Sequence, residues 1–413
     1  MRSNRLAAAC AATFLGGALA PGLAHATDGY FQPGYSVRSV GMGGVGIALP
    51  QDALAAATNP AGMALLGDRI DVGLTLFRPV RGATINGTAF SANHQSLFTI
   101  PEFGINYLPR PDLSLGVSVY GNGGMNTSYG SSIGSSVGGR LFQAGAGVDL
   151  QQMFIAPSVA WRVTPTQTLG LAVDLVHQTF RANGLGNFQG YSVNGQGFGN
   201  PGHDGSDGIG VRLGWIARLG SALSVGATYQ PRIHMGSLGA YSGLFAGGGN
   251  LDIPANYGIG LAWQEGAWSL GADVERIEYS GVPSVGNSIA ELNSGHLFGS
   301  AEGPGFGWSN VTVVKLGAQY RVDPRLLLRA GYNHATNPVS GSQVVLNTLA
   351  PGIVQDHLSV GLSYALSRRW EISGDYVHAF SNSVSGSMRS FGVQSETLSM
   401  YQDSLGVGLS YRY

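Results

Sequence analysis

The sequence predicts an all-β membrane protein: a transmembrane antiparallel β-barrel of about fourteen strands with an N-terminal hatch inside its lumen. Three observations lead there. Only 11% of residues are charged, far below the usual quarter of a soluble domain. Past the first 26 residues, no apolar run is long enough for a transmembrane helix. Segment after segment instead alternates apolar with small or polar residues at a period of two. A chain in lipid must satisfy its backbone polar groups internally, which leaves helices or closed barrels, and a barrel carries its hydrophobicity in alternation.

The elements follow in chain order. Arg2 and Arg5 precede the apolar stretch Leu6–Leu23, and Ala24-His25-Ala26 has the form of a cleavage site. Residues 1–26 therefore read as a signal peptide, with the mature chain starting at Thr27 and bound for the bacterial outer membrane. The single cysteine, Cys10, falls in that segment, so the mature chain is expected to lack disulfides, thiol metal ligands and thiol nucleophiles. Formal net charge is −1, and losing Arg2 and Arg5 takes it to −3. A near-neutral chain argues against nucleic acid as a partner.

Residues 27–68 do not alternate. They contain Gly41-Met42-Gly43-Gly44, then an alanine run from about Asp52 and the tripeptide Asn59-Pro60-Ala61. The alanines read as a short helix that Pro60 ends by restricting Asn59. The segment is too short for a domain and too apolar for disorder, so it is expected to plug the barrel. Gly41, Gly43 and Gly46 formally match G-x-G-x-x-G, but no βαβ unit follows, so no dinucleotide and no other cofactor or metal is expected.

Residues 69–413 read as the barrel. The C-terminus is the clearest strand, with Leu405, Val407, Leu409, Tyr411 and Tyr413 on one face. A final aromatic there also resembles the signal read by the barrel-assembly machinery. Similar alternation runs through Leu169–Leu175, Ile209–Ala217, Leu223–Tyr229, Tyr257–Trp263, Val314–Tyr320, Leu326–Tyr332, Leu358–Tyr364 and Trp370–Tyr376. Short turns such as Gly220-Ser221-Ala222 alternate with long Gly/Ser/Asn-rich segments near 130–149, 182–208, 235–251, 280–309, 335–355 and 381–400, as for periplasmic turns and extracellular loops. In the third strand, Leu113, Leu115, Val117 and Val119 alternate and then meet Gly121-Asn122-Gly123-Gly124, a pattern that marks a bulge or kink.

These residues, above all Asn59-Pro60-Ala61 with the preceding glycine cluster and Asp52-Ala53, resemble the FadL/OmpP1 family of outer-membrane transporters for long-chain fatty acids and other hydrophobic compounds. The resemblance implies a fourteen-stranded, monomeric barrel with a hatch motif at Asn59, Pro60 and Ala61. It also implies capture of substrate at the outer face, hatch rearrangement, and sideways exit where strand three kinks. The expected activity is passive transport of long-chain fatty acids or related hydrophobic compounds, with an aromatic-hydrocarbon channel of the same family as the alternative. The mature start, Thr27–Pro33, departs from the family pattern, so the substrate need not be the same fatty acid.

A fatty acid carries one carboxylate, so inward basic residues are candidate contacts: Arg162, Arg212, Arg218, Arg329 and Lys315, the only lysine. The competing reading pairs them with lumenal acids such as Asp174, Asp273, Glu275, Glu371 and Asp375. Leu141, Phe142, Phe188 and Phe245 lie in expected extracellular loops, as a collecting surface for an apolar ligand or as mutual packing. Outer-membrane lipid and lipopolysaccharide are the surrounding partners. Catalysis finds little support: Asp174 with His177, and Asp375 with His378, are three apart in strands and so face opposite ways. A general diffusion porin is the alternative transport class.

Overall fold

Fourteen antiparallel strands close a barrel in the computed structural model, which describes residues 28–135, 139–199 and 201–413. The expected signal peptide lies outside the described residues. The strands are β1 (Arg69–Ile85), β2 (Phe98–Arg110), β3 (Leu113–Asn126), β4 (Gly147–Thr164), β5 (Gln167–Asn183), β6 (Asp204–Leu219) and β7 (Leu223–Gln230). They continue as β8 (Asn256–Glu265), β9 (Trp268–Ile277), β10 (Val311–Arg321), β11 (Leu326–Ala335), β12 (Asp356–Ala365), β13 (Trp370–Met388) and β14 (Val393–Arg412). Each strand pairs with its neighbour in sequence, and β14 closes on β1 in continuous register from Arg69↔Arg412 to Ile85↔Glu396. Closure removes the sheet edges that lipid cannot solvate.

Alternation decides which side chains meet lipid. Leu74 and Leu76 on β1, Leu358, Val360 and Leu362 on β12, and Leu405, Val407 and Leu409 on β14 are all exposed on the outer wall. Aromatic rings bound this belt at both ends. Trp161, Trp268, Tyr320 and Trp370 lie beside the short turns, and Tyr229, Tyr257, Tyr332, Tyr376 and Phe380 lie towards the loops. On β13 the stretch from Trp370 to Phe380 is ~33 Å along the strand, or ~25 Å along the normal at the usual barrel tilt. That height fits an outer membrane.

One expected loop is strand instead. Residues 381–400 form the upper arms of β13 and β14, joined through the turn Arg389–Phe391. These arms rise above the aromatic belt, where neither lipid nor a single core face imposes alternation, so their Ser- and Asn-rich sequence looks like loop.

Inside, residues 28–68 pack against the wall. The expected alanine helix is only one 3-10 turn, Ala55–Ala57, and Pro60 opens a second, Pro60–Leu65, with Asn59 as its N-cap. Asn59 is extended, φ −147° and ψ 104°, as the following proline favours. The many glycines find their use here. Inward glycines on successive strands let the hatch backbone lie directly on the wall: Gly104 meets Ala53, Gly170 meets Ala61, Gly214 meets Asn59, Gly226 meets Ile47, Gly317 meets Met42 and Gly331 meets Gly43. A Cβ at Gly331 would fall on the Met42–Gly43 peptide, so no larger residue fits this docked arrangement.

Candidate functional site

Among the described residues, the wall has a gap between β2 and β3. Pairing between β2 and β3 ends at Phe103↔Val119, so Phe98–Glu102 has no partner on β3. At the same height β3 carries an extra residue, Asn122, between the pairs Gly121↔Met153 and Gly123↔Gln152 on β4. The bulge turns β3 inward, and everything from Tyr120 to Thr127 is buried. Above, the gap is closed by hydrogen bonds between Ser128 and the backbone of Ala92 and His94. A window about five residues tall remains between two closed stretches.

A bare strand edge within lipid is costly, and the hatch supplies the missing partner. Phe31 bridges Gly123 in antiparallel fashion, Gln32 N–H donates to Asn122 O at 3.2 Å, and Gly124 N–H donates to Tyr30 O at 3.0 Å. The Gln32 side chain adds a bond to Gly121 O, and the Tyr35 hydroxyl donates to Asn122 Oδ1 at 3.1 Å. From Asn122 a ladder of amides runs along the inner wall, through Gln152 on β4 and Gln178 on β5 to Ser206 on β6.

Behind the window lies a narrow cavity. The hatch contributes Gln32, Pro33, Gly34, Tyr35 and Val40, and the wall contributes Phe77, Ile100, Glu102, Tyr120, His357, Val377, Ala379 and Gln402 among others. Its lining includes Glu102, Asp403 and His357 but no lysine or arginine. A second narrow cavity lies among the extracellular loops, lined by Val148, Phe180, Leu185, Leu244, Phe245, Phe298, Phe306, Leu346 and Leu349, and it has no charged side chain.

The basic candidates are held by the protein. Lys315 pairs with Glu275 at 2.8 Å, as the competing reading expected. Arg212, fully buried, donates to Asn256 and Gln230, and Arg329 donates to Ser363. Arg162 is half-buried and holds the hatch through Ala64 O at 3.0 Å. Arg218, in phase with Arg212, is exposed at the turn end of β6.

The loop residues follow the mutual-packing reading. Leu141, Phe142, Phe188 and Phe245 are almost fully buried among the loops, with the Phe142 and Phe188 rings 5.4 Å apart and the Phe188 and Phe391 rings 5.3 Å apart. Apolar loop tips without a ligand bury one another, and alternation gives no sign of that. Phe245 still lines the loop cavity; the other three do not.

The hatch motif sits at the girdle. Asn59 Nδ2 reaches Ile47 O, Trp215 O and Ala227 O, so one amide ties two parts of the hatch to β6 and β7. Pro60 and Ala61 lie against Gly170. Sequence reasoning missed the other fastenings. Arg38 bonds Glu371 and Ser410, and Arg69 grips Asp71 while Asp71 Oδ2 accepts from Ala53 N–H. Arg69 and Asp71, two apart at a strand start, were a readable sign of an inward ion pair. At the other end, Asp28 accepts from Asn333, and burial pushes its carboxyl up to about 7 despite the nearby Lys315 charge.

The acid–histidine pairs divide as expected: Asp174 is buried inside while His177 is outside, 2.8 Å from Asp207. Among the described residues, no group of three or more His, Cys, Asp or Glu is placed to hold a metal.

Against known proteins, the sequence profile of the family described as outer membrane protein transport protein (OMPP1/FadL/TodX) matches residues 24–413. No curated protein matches the chain in sequence. Among solved structures, the fold is similar to the toluene transporter TodX of P. putida, at 18% identity over 92% of this chain and 99% of that one, TM-score 0.69. It is similar to a FadL homologue of Pseudomonas aeruginosa, at 16% identity over 93% and 99%, TM-score 0.67. It is also similar to the toluene transporter TbuX of Ralstonia pickettii, at 19% identity over 92% and 99%, TM-score 0.65. At these identities the likeness establishes the fold.

Proposed function

Because the chain belongs to the OMPP1/FadL/TodX family of outer-membrane transport proteins for hydrophobic compounds, we propose that its own cargo is uncharged, simple aromatic compounds ahead of long-chain fatty-acid anions. The observation that carries this is the lining of the two cavities: the loop cavity is almost wholly apolar and aromatic, the window cavity mixes apolar and neutral polar residues with Glu102 and Asp403, and neither is lined by a lysine or arginine. A carboxylate entering there would lose its hydration without gaining a positive partner, whereas an aromatic molecule loses nothing. The buried basic side chains already have partners, so recruiting Arg212 or Lys315 to a fatty acid means breaking bonds to Asn256, Gln230 or Glu275.

Transport is passive, in at the loops and out sideways at the window, after the Tyr30–Gln32 segment leaves the edge of β3. A general diffusion porin requires a water-filled lumen, and here the hatch occupies it. The test is uptake of radiolabelled toluene and of oleate by cells with and without the gene. The expected result is toluene uptake that depends on the protein and oleate uptake that does not. Gene-dependent uptake of oleate alone overturns the preference for neutral cargo, and gene-independent uptake of both overturns transport of either.

A further inference from the structure

The connection from β11 to β12 behaves unlike a loop. Twelve consecutive residues, Gln343 to Val354, are all buried, including Val344, Asn347, Thr348 and Ile353 at 0% exposure. Connections normally run over the surface because buried backbone needs partners. Here the partners come from several separate elements. Thr127 Oγ1 donates to Leu349 O at 2.7 Å and Tyr129 hydroxyl to Thr348 O at 2.8 Å, both from beyond β3. Asn382 on β13 donates to Ile353 O at 2.7 Å, Thr348 Oγ1 donates to Glu396 on β14, and Trp308 Nε1 donates to Asn347 Oδ1 at 2.6 Å. The segment folds inward until Gly352 lies against Trp308 and the Gly29 carbonyl of the hatch.

This segment borders the loop cavity on one side and touches the hatch, through Gly352 and the Gly29 carbonyl, on the other. Leu346 and Leu349 form part of the loop cavity, and no residue lines both that cavity and the one behind the window. We propose that Gln343–Val354 is a second plug, inserted from the extracellular side, which swings out to let a hydrophobic molecule pass from the loop cavity to the window. It rests on the transport reading above. The segment holds only short turns, Gly341–Gln343 and Val344–Asn347, followed by Pro351-Gly352. Its polar fastenings, including Gln343 to Ser288 and Ile289 and Asn347 to Phe306 and Trp308, go to other loops and to the upper arms of β13 and β14, so release need not disturb the wall within the aromatic belt.

The test uses Ala350→Cys in the full chain, since Ala350 is buried within the segment. Outer-membrane vesicles are treated from outside with a membrane-impermeant maleimide, with and without toluene, and barrel folding is checked by heat-modifiable gel mobility. Toluene should accelerate labelling severalfold. Adding Asn347→Ala and Thr348→Val should do so without toluene, and should raise toluene uptake severalfold. If the double variant fails to fold, Thr127→Val, which removes one anchor outside the segment, makes the same prediction. Labelling that stays negligible or unchanged in folded protein under all these conditions overturns the plug. Faster labelling in the anchor variants with no gene-dependent toluene uptake instead overturns the transport reading and leaves the moving segment standing.

Discussion

The hydroxyl of Tyr35, on the hatch, donates to Asn122 Oδ1 at 3.1 Å, and Asn122 is the one residue by which β3 exceeds its neighbour. The hydrogen bond joins the part expected to move to the part of the wall that is open. Tyr35→Phe and Asn122→Ala should each loosen the hatch, and their effects should not add. A double-mutant cycle on thermal unfolding is expected to return a coupling of about 0.5–1.5 kcal/mol. Strict additivity would mean that the contact does not link hatch and bulge.

Asn59 should matter for docking more than for the wall. Its amide bonds three carbonyls on the hatch, β6 and β7, and its Oδ1 caps the turn at Ala61. Asn59→Ala is expected to cost roughly 2–3 kcal/mol, combining a lost cap with unsatisfied buried carbonyls. Limited proteolysis should then cut within 28–68 while the barrel keeps its heat-modifiable mobility. Equal resistance to wild type would contradict that role.

Hatch docking should also respond to pH through Asp28. Its carboxyl is raised in the docked state to about 7 by burial, above the ordinary value near 4. The docked state therefore holds the proton more tightly, so its stabilisation is complete below about pH 4 and is lost as pH rises through 7. Hydrogen exchange at residues 28–36 should be faster at pH 8 than at pH 5, after correction for intrinsic rates, and Asp28→Asn should flatten the difference. A slope of opposite sign would show that another group governs docking.

The alternation from Leu405 to Tyr413, and the glycine break after Tyr120, were legible because each is a local pattern with a local cause. Lipid requires every second residue of the wall to be apolar, and a bulge in the middle of a strand favours glycine. Arg218 keeps the inward phase of its strand, yet phase alone did not show that it stands exposed at the turn end. Phe142 and Phe188 were seen as apolar loop residues, yet whether such residues meet a ligand or one another depends on contacts between loops far apart in sequence. The inserted segment Gln343–Val354 gave no periodic signal, since it is fixed by Thr127, Asn382 and Glu396, which come from three different places in the chain.

Passage of cargo through the window between β2 and β3 can be probed by deleting Asn122. Without the extra residue, β3 pairs regularly with β4 and continues straight along β2, closing the gap at Phe98–Glu102. The measurement is the initial rate of toluene uptake by cells carrying the deletion, with correct folding checked by heat-modifiable mobility. Exit through the window requires at least a tenfold loss (~1.4 kcal/mol on the passage barrier) in a folded barrel. Uptake at the wild-type rate from a folded barrel would contradict it.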